Sequence, residues 1–221
     1  GAVREAIEAG PTREELRSIM PPGGARNAVD CALWELEAAR AGKPVWQLAG
    51  KSAPKPLRTT FTLGADDPEV MAEGAKRYAG AKSIKVKLTR ELDLDIARVK
   101  ANPAARPDVW LGVDGNQGFV IGQLDRLVEA LQEQQVSLLE QPLARGRESD
   151  IYGYKSAVPI AGDESLLTLD DVAGAVGCFD VVNIKLDKCG GLTEGLLMAE
   201  EARRLGLGVM VGNMVGSSLA M

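Results

Sequence analysis

Two lysines stand one residue apart in Ile84-Lys85-Val86-Lys87-Leu88, set among aliphatic residues of β-strand type. Side chains alternate along a strand, so Lys85 and Lys87 share one face and the three aliphatics share the other. In a parallel barrel the aliphatic face meets the helices and both lysines turn inward. On a half-exposed antiparallel strand the same alternation would only put them in water. Lys185 lies in a similar setting, Asn183-Ile184-Lys185-Leu186-Asp187. Three acids each close a β-type run: Asp114 after Leu111-Gly112-Val113, Glu140 after Leu138-Leu139, and Asp163 after Ile160-Ala161-Gly162. One such acid is commonly a helix N-cap or a loop residue. Three of them at the ends of consecutive strands, one βα unit apart, aim at one point. Carboxylates that close repel and shift each other's pKa values. A hard cation such as Mg²⁺, which prefers oxygen ligands, relieves that repulsion.

These residue types suit the removal of a proton next to a carboxylate. Such a proton is very weakly acidic because its loss builds a second negative charge, giving an enediolate. A metal at the carboxylate oxygens stabilises that charge where it develops. The base must be a neutral amine near pH 7, and like-charge pressure from Lys85 and a nearby metal favours the neutral form of Lys87. If Lys87 is on the second strand of an eight-stranded barrel, Lys185 is on the sixth, diametrically opposite, with the acids on strands three to five. Hydrogen can then leave one face of a carbon and arrive on the other. Histidine is absent, which excludes Ser-His and Cys-His nucleophilic pairs and histidine zinc sites.

The elements that must position these residues alternate along the chain. Strands are expected at 57–63, 83–88, 109–114, 136–140, 158–162, 180–186 and 208–212, with helices at 68–79, 92–101, 121–134, 148–156, 168–176 and 193–205. Gly, Pro, Asp or Asn occupies each strand-to-helix turn. This alternation means parallel pairing through βαβ units, and seven strands favour a barrel over an open sheet. An earlier helix is expected over 25–41, with Ala28, Cys31, Ala32 and Leu36 on one face, Gly42 as C-cap and Pro44 beyond. Residues 51–56 form a linker, 1–24 read as the tail of a preceding segment, and a short helix is expected from Val215 to Met221.

Composition narrows the class further. The chain has 221 residues, 45% hydrophobic and 26% charged, with a net charge of −5. That balance suits one large core and argues against a nucleic-acid surface, which needs a basic patch. No apolar run reaches the roughly 18 residues of a membrane helix. Three scattered cysteines, Cys31, Cys178 and Cys189, fit a reduced, cytoplasmic protein better than a disulfide framework. Trp34, Trp46 and Trp110 read as packing residues. The first residue is Gly1, so the start is expected to lie upstream.

Several segments resemble the enolase superfamily, in its muconate-lactonizing-enzyme subgroup. The stretch from Val29-Asp30-Cys31-Ala32-Leu33-Trp34 through Gly42-Lys43-Pro44-Val45-Trp46-Gln47-Leu48 is similar to the family segment that joins a capping domain to the barrel. Lys85-Val86-Lys87 resembles its K-x-K motif. Asn183 through Glu194, with Lys185-Leu186-Asp187-Lys188-Cys189-Gly190-Gly191 inside it, resembles the second-lysine strand of the dipeptide epimerases of the L-Ala-D/L-Glu type. A lysine base working with Mg²⁺ is that superfamily's pattern. The resemblance implies an α/β fold, the enolase-type modified TIM barrel (β/α)7β, incomplete here and carrying a remnant of the N-terminal α+β capping domain. Residues 1–50 would be the end of that domain and its connecting helix. Residues 51–221 would be barrel strands one to seven, ending before strand eight and the Asp-x-Asp motif that follows it in the family.

The same resemblance implies Lys87 and Lys185 as the two acid/base groups, and Asp114, Glu140 and Asp163 as ligands of one Mg²⁺. It places Thr62 and Lys85 at the substrate carboxylate and Asn213 in the pocket lining. Asn116, Gln141 and Glu164 fit either support of these groups or turn and capping roles. The implied reaction is Mg²⁺-dependent epimerisation of an L-Ala-D/L-Glu-like dipeptide by two-base 1,1-proton transfer. Two alternatives stay open: a cycloisomerase or lyase of muconate-lactonizing or o-succinylbenzoate synthase type using one lysine, and an inactive barrel fragment with open strand edges. The implied partner is a small dipeptide, with no nucleic acid or membrane, and homo-oligomers are common in the family.

Overall fold

Buried aliphatics decide where the chain becomes regular. In the computed structural model, which describes residues 3–214 apart from the side chains of 103 and 104, Ile84 and Val86 are buried while Lys85 and Lys87 between them are partly exposed. The helix expected over 215–221 lies outside the described residues. In chain order the elements are α1 (Arg4–Glu8), α2 (Arg13–Ile19), α3 (Gly24–Ala41), α4 (Val45–Leu48), β1 (Phe61–Leu63), α5 (Pro68–Arg77), β2 (Ser83–Lys87), α6 (Leu92–Ala105) and β3 (Trp110–Asp114). There follow α7 (Ile121–Glu133), β4 (Leu138–Glu140), α8 (Glu148–Ile151), β5 (Ile160–Gly162), α9 (Leu169–Val172), β6 (Val181–Lys185), α10 (Leu186–Cys189), α11 (Leu192–Arg204) and β7 (Gly208–Gly212).

The chain divides into two compact units. One runs from Leu57 to Ser165 and takes in Gly174–Val181. Its five strands lie parallel in the order β1-β2-β3-β4-β5. Register is fixed by pairs such as Thr62 with Lys85, Lys87 with Asp114, Asp114 with Glu140, and Glu140 with Ala161. Helix α7 shows why helices cover this sheet: Leu124, Leu127, Val128 and Leu131 repeat at three- and four-residue spacing, and all are buried. Pro68 opens α5 at the position where its missing N–H costs nothing.

The other unit comprises Gly1–Pro56, Leu166–Ala173 and Val182–Met221. Here β6 and β7 are neighbours, and Leu16, Trp34, Val182, Ile184, Met198 and Ala202 are buried. Helix α3 ends at Gly42, whose φ of 61° is the left-handed cap conformation glycine adopts freely. The face of α3 turned inward is not the expected one. Ala28, Ala32 and Leu36 are exposed, and Arg26, Asn27, Asp30 and Trp34 are buried instead. Small alanines gave that stripe little to bury, whereas the polar side chains find partners elsewhere in the unit.

Each expected strand is present, most of them shorter than expected; residues 57–60 are exposed and lie outside β1. The helix expected at 148–156 closes after Ile151. Four short helices, α1, α2, α4 and α10, were not anticipated.

Candidate active site

The register puts Lys87, Asp114 and Glu140 on one row across three adjacent strands, so their side chains share a face. Lys85, two residues back, shares it too. Its Nζ lies 2.9 Å from Glu140 Oε2 and 3.2 Å from Asp114 Oδ2. Lys87 Nζ donates to Asp114 Oδ2 at 3.4 Å and to Asn116 Oδ1 at 3.3 Å. Both lysines therefore point to the acid-bearing face, as the alternation required. Thr62 pairs with Lys85 in register and is exposed.

Asp114 and Glu140 are essentially inaccessible to water, at 1% and 0% exposure. Burial pushes the Glu140 carboxyl above its ordinary pKa, the charges of Asp114 and Asp163 push the same way, and Lys85 offsets only part of this. For Lys85, burial alone would lower the pKa. The charges of Glu140 and Asp114, with hydrogen bonds to both, outweigh burial and hold the ammonium above the ordinary lysine value.

Asp163 lies two residues beyond Ala161, the register partner of Glu140, and is 2% exposed. Its backbone is held by Gln141. Gln141 Oε1 accepts from the N–H of Asp163 at 2.8 Å and of Ser165 at 3.2 Å, while Nε2 donates to Leu143 O and Ser165 Oγ, both at 2.8 Å. Every polar atom of this buried amide has a partner, which staples the end of β4 to the end of β5. Asn116 has two tasks: its N–H donates to Asp114 Oδ1 at 3.0 Å in a turn, and its side chain meets Lys87. Gly115 lets the β3 and β4 ends approach, since a Cβ there would sit 2.8 Å from Pro142 Cα.

The donor chemistry fits a hard divalent cation: three buried carboxylates, at or just past the ends of three adjacent strands. Among the described residues no three His, Cys, Asp or Glu side chains stand close enough together to hold a metal ion as they are arranged. The positive charge between Asp114 and Glu140 is the Lys85 ammonium.

Lys185 belongs to the other unit. It shares its strand face with Asn183: a Cβ on Gly212 of β7 would lie 2.8 Å from Asn183 Oδ1 and 2.9 Å from Lys185 Cε. Ile184 faces the opposite way, toward Gly195 of α11. The polar–apolar alternation of β6 therefore holds, with Lys185 turned away from the helix. Asn213 follows β7 and is exposed. The network around Arg26, Asp30, Thr193 and Glu194 was missed; its one sequence signal is charged residues at four-residue spacing on a helix whose other face is small and apolar.

These features recur in known proteins. Residues 4–50 match the N-terminal domain of mandelate racemase and muconate lactonizing enzyme, and residues 70–221 match the enolase C-terminal domain-like family. The chain belongs to this family, and its fold is the enolase-type α/β barrel, represented by seven strands among the described residues. Within the family it is similar to an N-acetyl-D-glutamate racemase of Pseudoalteromonas sp (40% identity over 207 residues, 94% of this chain and 65% of the relative). It is equally similar to the L-Ala-D/L-Glu epimerase of Escherichia coli K12 (40% over 217 residues, 97% and 67%). Among solved structures, an L-Ala-D/L-Glu epimerase superposes with a TM-score of 0.90 at 40% identity, covering 99% of this chain and 69% of that one. The dipeptide epimerase of Enterococcus faecalis V583, complexed with Mg and the dipeptide L-Leu-L-Tyr, gives 0.87 at 31% identity, covering 96% and 65%. The chain spans about two thirds of the length of the curated relatives it matches. No helix among the described residues is long and apolar enough to cross a membrane.

Proposed function

We propose that the protein is a cytoplasmic isomerase that epimerises the α-carbon of a dipeptide's C-terminal residue, an L-Ala-D/L-Glu-like substrate, by two-base 1,1-proton transfer. The observation that carries this reading is the shared face of Lys85, Lys87, Asp114 and Glu140, in a chain 40% identical to a named L-Ala-D/L-Glu epimerase. Lys87 and Lys185 are the acid/base groups, one for each face of the α-carbon. Lys85 and Thr62 receive the substrate carboxylate, and Asn213 lines the pocket. Asp114, Glu140 and Asp163 would hold one Mg²⁺, which supplies positive charge for the substrate carboxylate as the proton leaves. Asn116 steadies the Lys87 amine, and Gln141 keeps Asp163 at the end of its strand. Residues 1–50 act as the end of a capping domain and 51–221 as the barrel.

The test is proton NMR of L-Ala-L-Glu and L-Ala-D-Glu in D₂O with Mg²⁺ and the full-length protein. Deuterium is expected at the glutamate α-carbon of both, with interconversion. N-acetyl-glutamate in a parallel sample distinguishes a racemase of acylated amino acids. No exchange in any of the three substrates overturns the reading, and elimination or ring opening in place of exchange points to a lyase or cycloisomerase.

A further inference from the structure

Helix α3 hides charged groups where an amphipathic helix hides hydrocarbon. Arg26, Asn27, Asp30 and Trp34 are 4%, 8%, 2% and 4% exposed, and their spacing places them on one face. Burying charge is costly unless every group is paired. Here the pairing falls largely on one short stretch, the turn that follows Lys185. The Arg26 guanidinium donates to Gly190 O at 3.1 Å, to Cys189 O, and to Glu194 Oε2 at 3.4 Å. It also donates to the backbone oxygens of Arg17 and Met20, each at 3.3 Å. Asn27 Nδ2 donates to Asp187 Oδ1 at 3.4 Å. Asp30 accepts from the N–H of Thr193 at 3.0 Å and from its hydroxyl at 2.5 Å. Trp34 Nε1 donates to the same hydroxyl at 3.0 Å.

This arrangement does for α11 what α11 cannot do for itself. Its N-cap is Gly191, which has no side chain to offer the first turn. The Asp30 carboxylate takes that place from another helix, adding a negative charge at the positive helix end. Gly190 and Gly191 adopt φ of 84° and 125°, and a Cβ on either would overlap Arg26 or Asp30. Side chains of α3 thus lie flat against the backbone of the turn. Glu194 completes the clamp by accepting from Arg17 at 2.6 Å and from the N–H of Leu169 at 2.9 Å.

We propose that Arg26 and Asp30 are positioning residues for Lys185: by fixing the backbone from Asp187 to Glu194, they set the aim of the lysine that ends β6. This rests on the two-base reading above. Lys87 is set by β2, Asp114 and Asn116, and the hydrogen bonds of Arg26 and Asp30 given above all run to other residues. Loosening the clamp should therefore harm one half of the proton transfer and spare the other. A catalytic group displaced by about 1 Å loses on the order of 100-fold in rate.

The experiment measures α-proton exchange in D₂O separately from L-Ala-L-Glu and L-Ala-D-Glu. Lys87→Ala and Lys185→Ala first assign one epimer to each lysine. In Asp30→Ala and Arg26→Met, exchange from the epimer assigned to Lys185 should fall roughly 10- to 100-fold, and exchange from the other by less than about twofold. Asp30→Asn, which keeps an acceptor for the Thr193 N–H, should recover much of the loss. Amide hydrogen exchange of residues 186–195 is read on the same proteins and should rise in the Ala and Met variants. Equal loss from both epimers, or unchanged amide protection in folded variants, overturns the proposal. Absence of exchange in the unsubstituted protein is a separate result: it removes the two-base reading and this inference with it. If Asp30→Ala does not fold, Arg26→Met and Thr193→Val supply the loosened clamp, with Asp30→Asn as the reference in which it is largely kept.

Discussion

At Lys85 one ammonium serves two buried carboxylates, and removing it would leave both without their shared cation. Breaking such a pair costs about 3 kcal/mol when the partners stay buried. Lys85→Met should therefore unfold at lower urea in EDTA by about that amount. Mg²⁺ should raise its melting temperature more than it raises that of the unsubstituted protein, because the metal replaces the missing charge. Equal Mg²⁺ shifts in the two proteins would contradict the assignment of Asp114, Glu140 and Asp163 as a cation site. Cys189 gives a second check on local environment. Burial pushes its thiol up to about 11, and it is 1% exposed. With a disulfide reagent at pH 8, Cys31 and Cys178, which are partly exposed, should be modified first and Cys189 last, as read by mass spectrometry of the peptides. The acids and lysines were legible because each ends or alternates along a strand. The ion pairs among them were not, since the reach of a lysine across two strands leaves no mark on spacing.

Strand ends are where the elements meet their task. Gln141 joins the end of β4 to the loop holding Asp163 through three side-chain hydrogen bonds, and a fourth reaches Leu143 O on its own side. Gln141→Ala strips the acceptor from two buried N–H groups and should cost about 3 kcal/mol in urea unfolding. It should also weaken Mg²⁺ binding by roughly 10-fold, the usual effect of losing a group that orients a ligand. Calorimetry would show this, and unchanged affinity would mean that Asp163 is not a ligand. Sequence periodicity located the elements well where burial is one-sided, as in α7. It misjudged α3, because the inward face is polar and its partners lie far along the chain. Helix α2 was readable in principle: Thr12 and Glu15 form a capping box, with Glu15 N donating to Thr12 Oγ1 at 3.2 Å and Thr12 N to Glu15 Oε2 at 2.8 Å. Helix α10 was hidden because Leu186 continues the apolar pattern of β6.

For the whole molecule, the fold follows from strand–helix alternation and the chemistry from what that alternation places at the strand ends. The absence of histidine leaves Lys, Asp, Glu, Tyr and Cys to move protons; the proposal gives that task to two lysines and a hard cation to the three acids. Removing divalent cations with EDTA should stop α-proton exchange, and Mg²⁺ should restore it; exchange that persists unchanged in EDTA would rule out a required metal.

The division of labour between the two lysines is the centre of the proposal. Its most direct measurement is α-deuterium incorporation into each epimer of L-Ala-Glu by Lys87→Ala and Lys185→Ala, compared at equal enzyme and Mg²⁺. Each substitution is expected to silence exchange from a different epimer while the other continues. If both silence the same epimer, or if either leaves both epimers exchanging at the unsubstituted rate, hydrogen does not pass between two opposed amines here.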